Sequence, residues 1–131
     1  MTEAAPPLFL LAPKALLRAP PRPKVPPEYE LRPYRFGDEM AYATLLNEID
    51  PKLALAPYVE WTLAHALPEG LFFLVHIPTQ HPAATAVALH DPKPGPAEFP
   101  FGGEVGNLVT ATGHRGHGLG AAALGAALGR L

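Results

Sequence analysis

The fold is decided by Arg115-Gly116-His117-Gly118-Leu119-Gly120, a glycine-rich stretch between a strand-like run (EVGNLVT, 104–110) and a helix-like run (AAALGAALGRL, 121–131). Glycine lets the backbone adopt positive φ and approach a ligand closely. The first amides of a helix have no partner within the helix, and the helix dipole adds partial positive charge beside them. A strand, a glycine turn and a helix start in this order predict a phosphate-binding turn.

Two better-known phosphate motifs do not fit this turn. A dinucleotide fingerprint requires G-x-G-x-x-G and an acidic residue about twenty positions later, whereas the glycines here are at 116, 118 and 120 and the chain ends at residue 131. A P-loop requires G-K-[ST], and Gly120 is followed by Ala121. Glycines at such spacing also occur in turns that bind no ligand. The hexapeptide alone therefore does not decide between a phosphate-binding turn and a purely structural one.

Alternating elements precede the turn. Hydrophobic patterning and turn residues predict strands over 30–35, 71–77, 84–90 and 104–110, and helices over 38–48, 57–67 and 121–131. Asp38 is the expected N-cap of the first helix. The side chains expected to face inward are Met40, Leu45, Leu46 and Ile49 from the first helix and Tyr58, Trp61 and Leu67 from the second. The predicted order is β-α-α-β-β-β-α, an α+β (mixed α/β) sandwich.

The turn resembles motif A of the GNAT N-acetyltransferases, [Q/R]-x-x-G-x-[G/A]; Arg115, Gly118 and Gly120 occupy its specified positions. The upstream order of elements is also similar to that family, over residues 28–131. Family domains continue past this helix into another strand and helix, and no tyrosine follows Tyr58 in the place of their usual acid. The resemblance therefore implies the N-terminal portion of a GNAT-like sandwich through motif A, C-terminally incomplete.

The resemblance also implies a site and a co-substrate. It implies acetyl-CoA and direct transfer of its acetyl group to the primary amine of a small molecule or peptide. By position, backbone groups of Leu108, Val109 and Thr110 would hold the pantetheine arm. The pyrophosphate would lie on the amides of Arg115, Gly116, His117, Gly118, Leu119 and Gly120.

Glu104 is the expected catalytic base, because several family members keep a glutamate early on this strand. The alternative is a solvated glutamate at the strand end or a partner for an arginine. The activity has an alternative as well, since a shortened domain is also consistent with a non-catalytic remnant that binds CoA or a protein partner.

Composition limits the remaining possibilities. A chain of 131 residues suits one domain, 28–131, preceded by a proline-rich, mostly extended arm, 1–27. The net charge of −2 gives no case for nucleic acid or an anionic membrane, and no apolar run approaches membrane-spanning length. The sequence has no cysteine, and its histidines do not show a spacing known from metal-binding motifs, so no metal site is expected. The expected location is cytoplasmic. If the strand 104–110 lies at an exposed edge of the sheet, its unpaired backbone groups would favour a homodimer through that edge.

Overall fold

The computed structural model describes residues 18–19, 22–90 and 103–131. The expected arm, 1–27, lies largely outside the described residues, as does most of the loop 91–103. The main elements are β1 (Tyr29–Pro33), α1 (Glu39–Asn47), α2 (Ala56–His65), β2 (Ala66–His76), β3 (His81–Leu89), β4 (Glu104–Thr110) and α3 (Leu119–Leu128). Short 3₁₀ turns occupy Pro51–Ala54 and Thr112–His114. The α+β class and the order β-α-α-β-β-β-α are confirmed.

The four strands form one antiparallel sheet in the order β1-β2-β3-β4. The ladder between β3 and β4 is interrupted: Thr85 faces Val109, but Val87 faces Gly106. Two residues of β4, Asn107 and Leu108, therefore lie opposite one residue of β3. Asn107 has a φ of 51°, in the left-handed region that asparagine tolerates better than most residues. This β-bulge bends the strand and re-aims its side chains.

Helices cover both faces of the sheet. On one face, α1 and α2 pack against the strands through a core that includes Tyr42, Leu46, Phe73 and Val87. On the other face, α3 lies on alanines of β3; the buried residues there include Leu119, Ala122, Ala123 and Ala127 of the helix and Ala84, Ala86 and Ala88 of the strand. Because β3 is covered on both sides, its residues from Ala83 to Leu89 are apolar except for the buried Thr85, and they do not alternate with polar residues.

The helices bury different side chains from those predicted. Met40 is 84% exposed and Ile49 48% exposed, whereas Tyr42 is fully buried beside Leu45 and Leu46. Residues two positions apart in a helix point about 200° apart, so burying Tyr42 turns Met40 to solvent. Ile49 lies beyond the last residue of α1. The prediction of a buried Met40 and Ile49 was wrong.

The inward face of α2 was also predicted wrongly in part. Trp61 is 37% exposed and stacks on the ring of His65 at 4.3 Å, while Val59 and Thr62 are the buried residues of this helix. Leu67 does not belong to α2, because the helix ends at His65 and β2 begins at Ala66.

Asp38 precedes α1, as predicted, but its carboxylate does not cap the helix. It accepts two hydrogen bonds from the Arg32 guanidinium, at 2.8 and 3.0 Å, and a third from the backbone N–H of Arg35 at 2.7 Å. The bonds from Arg32 lower the pKa of Asp38 below its ordinary value. The pair therefore attaches the start of α1 to β1. In the described part of the chain, no helix has the length and apolar character that crossing a membrane requires.

Candidate functional site

An open cavity of about 490 Å³ lies where β4 leads into the glycine turn and α3. The residues predicted for the co-substrate line it, with the exception of His117: Leu108, Val109, Thr110, Arg115, Gly116, Gly118, Leu119 and Gly120. Glu48 and Ile49, which directly follow α1, line it as well. The fold thus brings the motif strand and the glycine turn together in one cavity.

The glycine turn has the backbone that its sequence predicts. Gly116 and Gly118 have φ values of 87° and 78°, a backbone conformation that residues with a Cβ rarely adopt. No heavy atom of the described residues 18–19, 22–90 and 103–131 lies within 4 Å of the point where a Cβ would stand at either glycine, so these residues leave the turn open to a ligand. Gly118 is the N-cap residue of α3, and no side chain in the described part of the chain caps that helix. The first amides of α3 therefore keep their hydrogen-bonding capacity.

Arg115 connects the turn to the strand before it. Its Nε donates a hydrogen bond of 3.3 Å to the carbonyl oxygen of Thr110, the last residue of β4. The side chain lines the cavity, where its permanent positive charge favours an anionic ligand.

A polar network holds the bulge of β4, whose second residue, Leu108, lines the cavity. The Asn107 side-chain oxygen accepts a hydrogen bond from the Tyr58 hydroxyl at 2.9 Å, and its amide nitrogen donates to the Tyr42 hydroxyl at 3.1 Å. Burial raises the pKa of Tyr42 to about 12. Within the bulge Leu108 is 45% exposed, and directly after it Val109 is only 7% exposed. The network therefore helps to hold β4 in the shape that presents Leu108 to the cavity.

Sequence reasoning missed this network. The available signal was an asparagine within a strand, a residue type that strands disfavour and that tolerates left-handed backbone. The two tyrosines carried no comparable signal, because they lie on separate helices 49 and 65 positions away from Asn107 in the chain.

The two carboxylates of interest lie in different places. Glu104 is exposed at the first position of β4, opposite Leu89, and does not line the cavity. Its neighbour Val105 packs in the α3 layer, so strand alternation assigns Glu104 to the face of α1 and α2. Glu48 does line the cavity, and its Oε1 accepts hydrogen bonds from the backbone N–H and the hydroxyl of Thr112, at 3.3 and 3.2 Å.

Three histidine rings surround Tyr29 beside the turn. The Tyr29 hydroxyl hydrogen-bonds Nδ1 of His114 at 2.7 Å, and the Tyr29 ring centroid lies 5.2 Å from that of His76 and 6.1 Å from that of His117. Nδ1 of His76 is engaged by the Thr79 hydroxyl at 2.9 Å. Over the described residues, no three histidine, aspartate or glutamate side chains are grouped so that they could hold a metal ion.

Comparison with known proteins gives matches in structure alone. No family model and no curated protein matches the chain. A GCN5-related N-acetyltransferase from Sphaerobacter thermophilus superposes with a TM-score of 0.66 at 19% identity, covering 84% of this chain and 34% of its own. A Trypanosoma brucei acetyltransferase superposes with a TM-score of 0.52 at 21% identity, covering 73% of this chain and 69% of its own.

These identities support a statement about fold only. The chain spans about a third of the length of the Sphaerobacter thermophilus protein. Both superpositions extend over most of this chain, 84% and 73% of it. The chain therefore has the fold of the GCN5-related N-acetyltransferases.

Proposed function

We propose that the chain binds acetyl-CoA along β4 and the glycine turn and transfers its acetyl group to a primary amine of a small molecule or peptide. The observation that carries this proposal is the single cavity lined by the bulged strand, the turn and the uncapped start of α3. The two structural neighbours, both described as acetyltransferases, support it.

The residues present fit the parts of acetyl-CoA. Within the described residues β4 pairs only with β3, so alternate backbone N–H and C=O groups of this edge strand point away from the sheet and suit the amides of a pantetheine arm. The left-handed glycines at 116 and 118 leave open space in front of the turn, which suits a pyrophosphate. Arg115 contributes positive charge on the same side of the cavity.

When bound, acetyl-CoA would supply an activated thioester, and the chain would supply position and proton transfer. Holding the thioester and the amine side by side removes much of the entropic cost of their meeting. A backbone N–H among residues 108–110 would polarise the thioester carbonyl. A carboxylate would accept the proton of the attacking amine, directly or through water.

Glu104 remains the proposed base, and Glu48 is the competitor. Glu104 precedes the bulge by three residues, roughly 10 Å along the strand, so it would act through water. Glu48 already lines the cavity, and it would attract a cationic amine there. We expect Glu104→Gln to lower kcat by about 10²-fold or more with the affinity for acetyl-CoA unchanged. We expect Glu48→Gln to raise the KM for the amine. The reverse pattern would assign the base to Glu48.

Calorimetric titration with acetyl-CoA tests the site itself. Gly120 lines the cavity in ordinary helical backbone, and a Cβ there would meet only the Thr110 hydroxyl, at 3.7 Å. Gly120→Glu therefore places a carboxylate at the phosphate position with little strain, and we expect it to abolish binding. Gly113→Glu is the matched control: Gly113 has open space around it and does not line the cavity.

The outcomes separate the possible functions. Saturable binding that only Gly120→Glu removes supports the site, and acetylated product from a panel of amines then supports the activity. Binding without product from any amine favours the alternative, a non-catalytic domain that binds CoA. A folded chain that binds no acetyl-CoA would overturn the proposal.

A further inference from the structure

A second cavity, of about 520 Å³, adjoins the first at Gly118. One wall is the segment 22–26, which precedes β1, and the other is a face of α3. Gly118 lines both cavities, so the glycine turn borders each of them. His117, the predicted turn residue that is absent from the first cavity, lines the second.

The segment 22–26 is held beside the turn by contacts at its end. The backbone N–H of Tyr29 donates to the carbonyl oxygen of Pro26 at 3.3 Å. The Tyr29 ring lies against His117, with centroids 6.1 Å apart, and the Tyr29 hydroxyl hydrogen-bonds His114 at 2.7 Å. Because these histidines flank the turn, the start of β1 fixes the course of the preceding segment along α3.

The lining of the second cavity combines positive charge with small apolar walls. Arg22 and Lys24 are exposed bases, His117 adds an imidazole, and no acidic residue among those that the structure describes lines the cavity. The remaining lining consists of Pro23, Val25, Pro26, Gly118, Ala121, Ala122 and Gly125. Small residues on α3 leave room for a flat ring, and the two bases favour an anion attached to it.

We propose that this cavity binds the 3′-phosphorylated adenosine end of the acyl-CoA, with Arg22 and Lys24 contacting the 3′-phosphate. The inference rests on the proposed function, because it requires the pyrophosphate to lie on the glycine turn. The adenosine is joined to that pyrophosphate through its 5′ oxygen, and the second cavity adjoins the turn at Gly118. The segment before β1 is thereby a selectivity element that distinguishes CoA from dephospho-CoA.

The test compares three ligands by calorimetry: CoA, dephospho-CoA, which lacks only the 3′-phosphate, and adenosine 3′,5′-bisphosphate, which lacks the pantetheine arm. We expect the unmodified chain to bind CoA about tenfold more tightly than dephospho-CoA, since one charge-assisted contact at a partly solvated site contributes about 1.4 kcal/mol. This ratio should fall as salt screens the exposed bases.

The double variant Arg22→Gln/Lys24→Gln should bring the ratio of the two affinities to within about twofold while leaving the affinity for dephospho-CoA unchanged. Lys52→Gln is the matched control, because Lys52 is an exposed base that lines neither cavity. Far-UV circular dichroism verifies that each variant is folded. A loss of selectivity in the double variant alone supports the proposal.

Three results would overturn the proposal. In the first, the unmodified chain binds CoA and dephospho-CoA equally. In the second, the double variant keeps the full preference for CoA over dephospho-CoA. In the third, adenosine 3′,5′-bisphosphate binds while neither coenzyme form does, which would assign the cavity to a free nucleotide. Equal binding of the two coenzyme forms leaves the proposed function intact. Failure of all three ligands to bind would overturn the proposed function as well.

Discussion

The side-chain amide of Asn107 donates a hydrogen bond to the hydroxyl of Tyr42, 3.1 Å away, across 65 positions of sequence. Its oxygen accepts from Tyr58, so one left-handed asparagine joins α1 and α2 to the bulge of β4. The bulge determines which residues of β4 face the cavity. The shape of the candidate site therefore depends on a side chain that does not line it.

Two substitutions at Asn107 separate the roles of its backbone and its amide. Asn107→Gly keeps the freedom to adopt a φ of 51° but leaves both tyrosine hydroxyls without this partner. We expect it to lower the free energy of unfolding by about 1 to 3 kcal/mol. Asn107→Ala also forces a Cβ into left-handed backbone and should lower it by about 1 kcal/mol more. Urea unfolding measures the free energy of unfolding of each variant. Equal losses in the two variants would show that the left-handed backbone at residue 107 has no energetic cost for alanine relative to glycine.

The free energy of unfolding at alkaline pH should depend on the burial of Tyr42. Folding raises its pKa from 10.0 to about 12, chiefly through burial. The stabilisation by the neutral hydroxyl is therefore fully present below pH 10 and is lost as the pH rises through 12, by about 3 kcal/mol in total. Urea unfolding between pH 9 and 12 should show a smaller loss for Tyr42→Phe than for the unmodified chain. Parallel curves for the two proteins would contradict this prediction.

Acid should weaken the attachment of α1 to β1. Hydrogen bonds from Arg32 lower the pKa of Asp38 below its ordinary value of 3.8, so the stabilisation is present above that pH and is lost as the pH falls below it. We expect Asp38→Asn to lower the free energy of unfolding at neutral pH by about 1 kcal/mol and to reduce its dependence on acid. Asp50→Asn is the control, since among the described residues the carboxylate of the exposed Asp50 accepts a hydrogen bond only from the backbone N–H of Lys52.

The glycine turn offers a matched pair for stability. Gly118→Ala places a Cβ at a φ of 78° and should lower the free energy of unfolding by about 1 kcal/mol or more. Gly113 lies in the preceding 3₁₀ turn with φ outside the left-handed region and open space around it, so Gly113→Ala should be neutral or slightly stabilising. Thermal unfolding measures the difference, and equal effects of the two substitutions would mean that the turn does not require its left-handed glycine.

The sequence predicted the parts of the fold that depend on local chemistry. Positive φ at residues 116 and 118 follows from glycine itself, and hydrophobic patterning predicted the strand over 71–77 that lies within β2. The exposure of Met40 and Trp61 was not predictable in this way, because both depend on which side of a helix meets the sheet. The role of Glu104 and the homodimer through the sheet edge stay predictions.

The contacts around the candidate site were the part of the structure that the sequence predicted least well. Glu48 reaches the cavity only because α1 ends beside the 3₁₀ turn at Thr112. Asn107 meets two tyrosines from separate helices. Contacts of this kind are fixed by the packing of distant segments, and no local pattern encodes them.

The order of the sheet has a consequence for how the molecule is made. The strands are arranged in space as they follow in the chain, each antiparallel to the one before it. During synthesis, every new strand finds its pairing edge already formed by the strand that left the ribosome just before it, and no earlier strand has to wait for a later insertion. The glycine turn and α3 follow β4 in the chain and cover the second face of the sheet. The ligand cavity can therefore form only after all four of the described strands have been made.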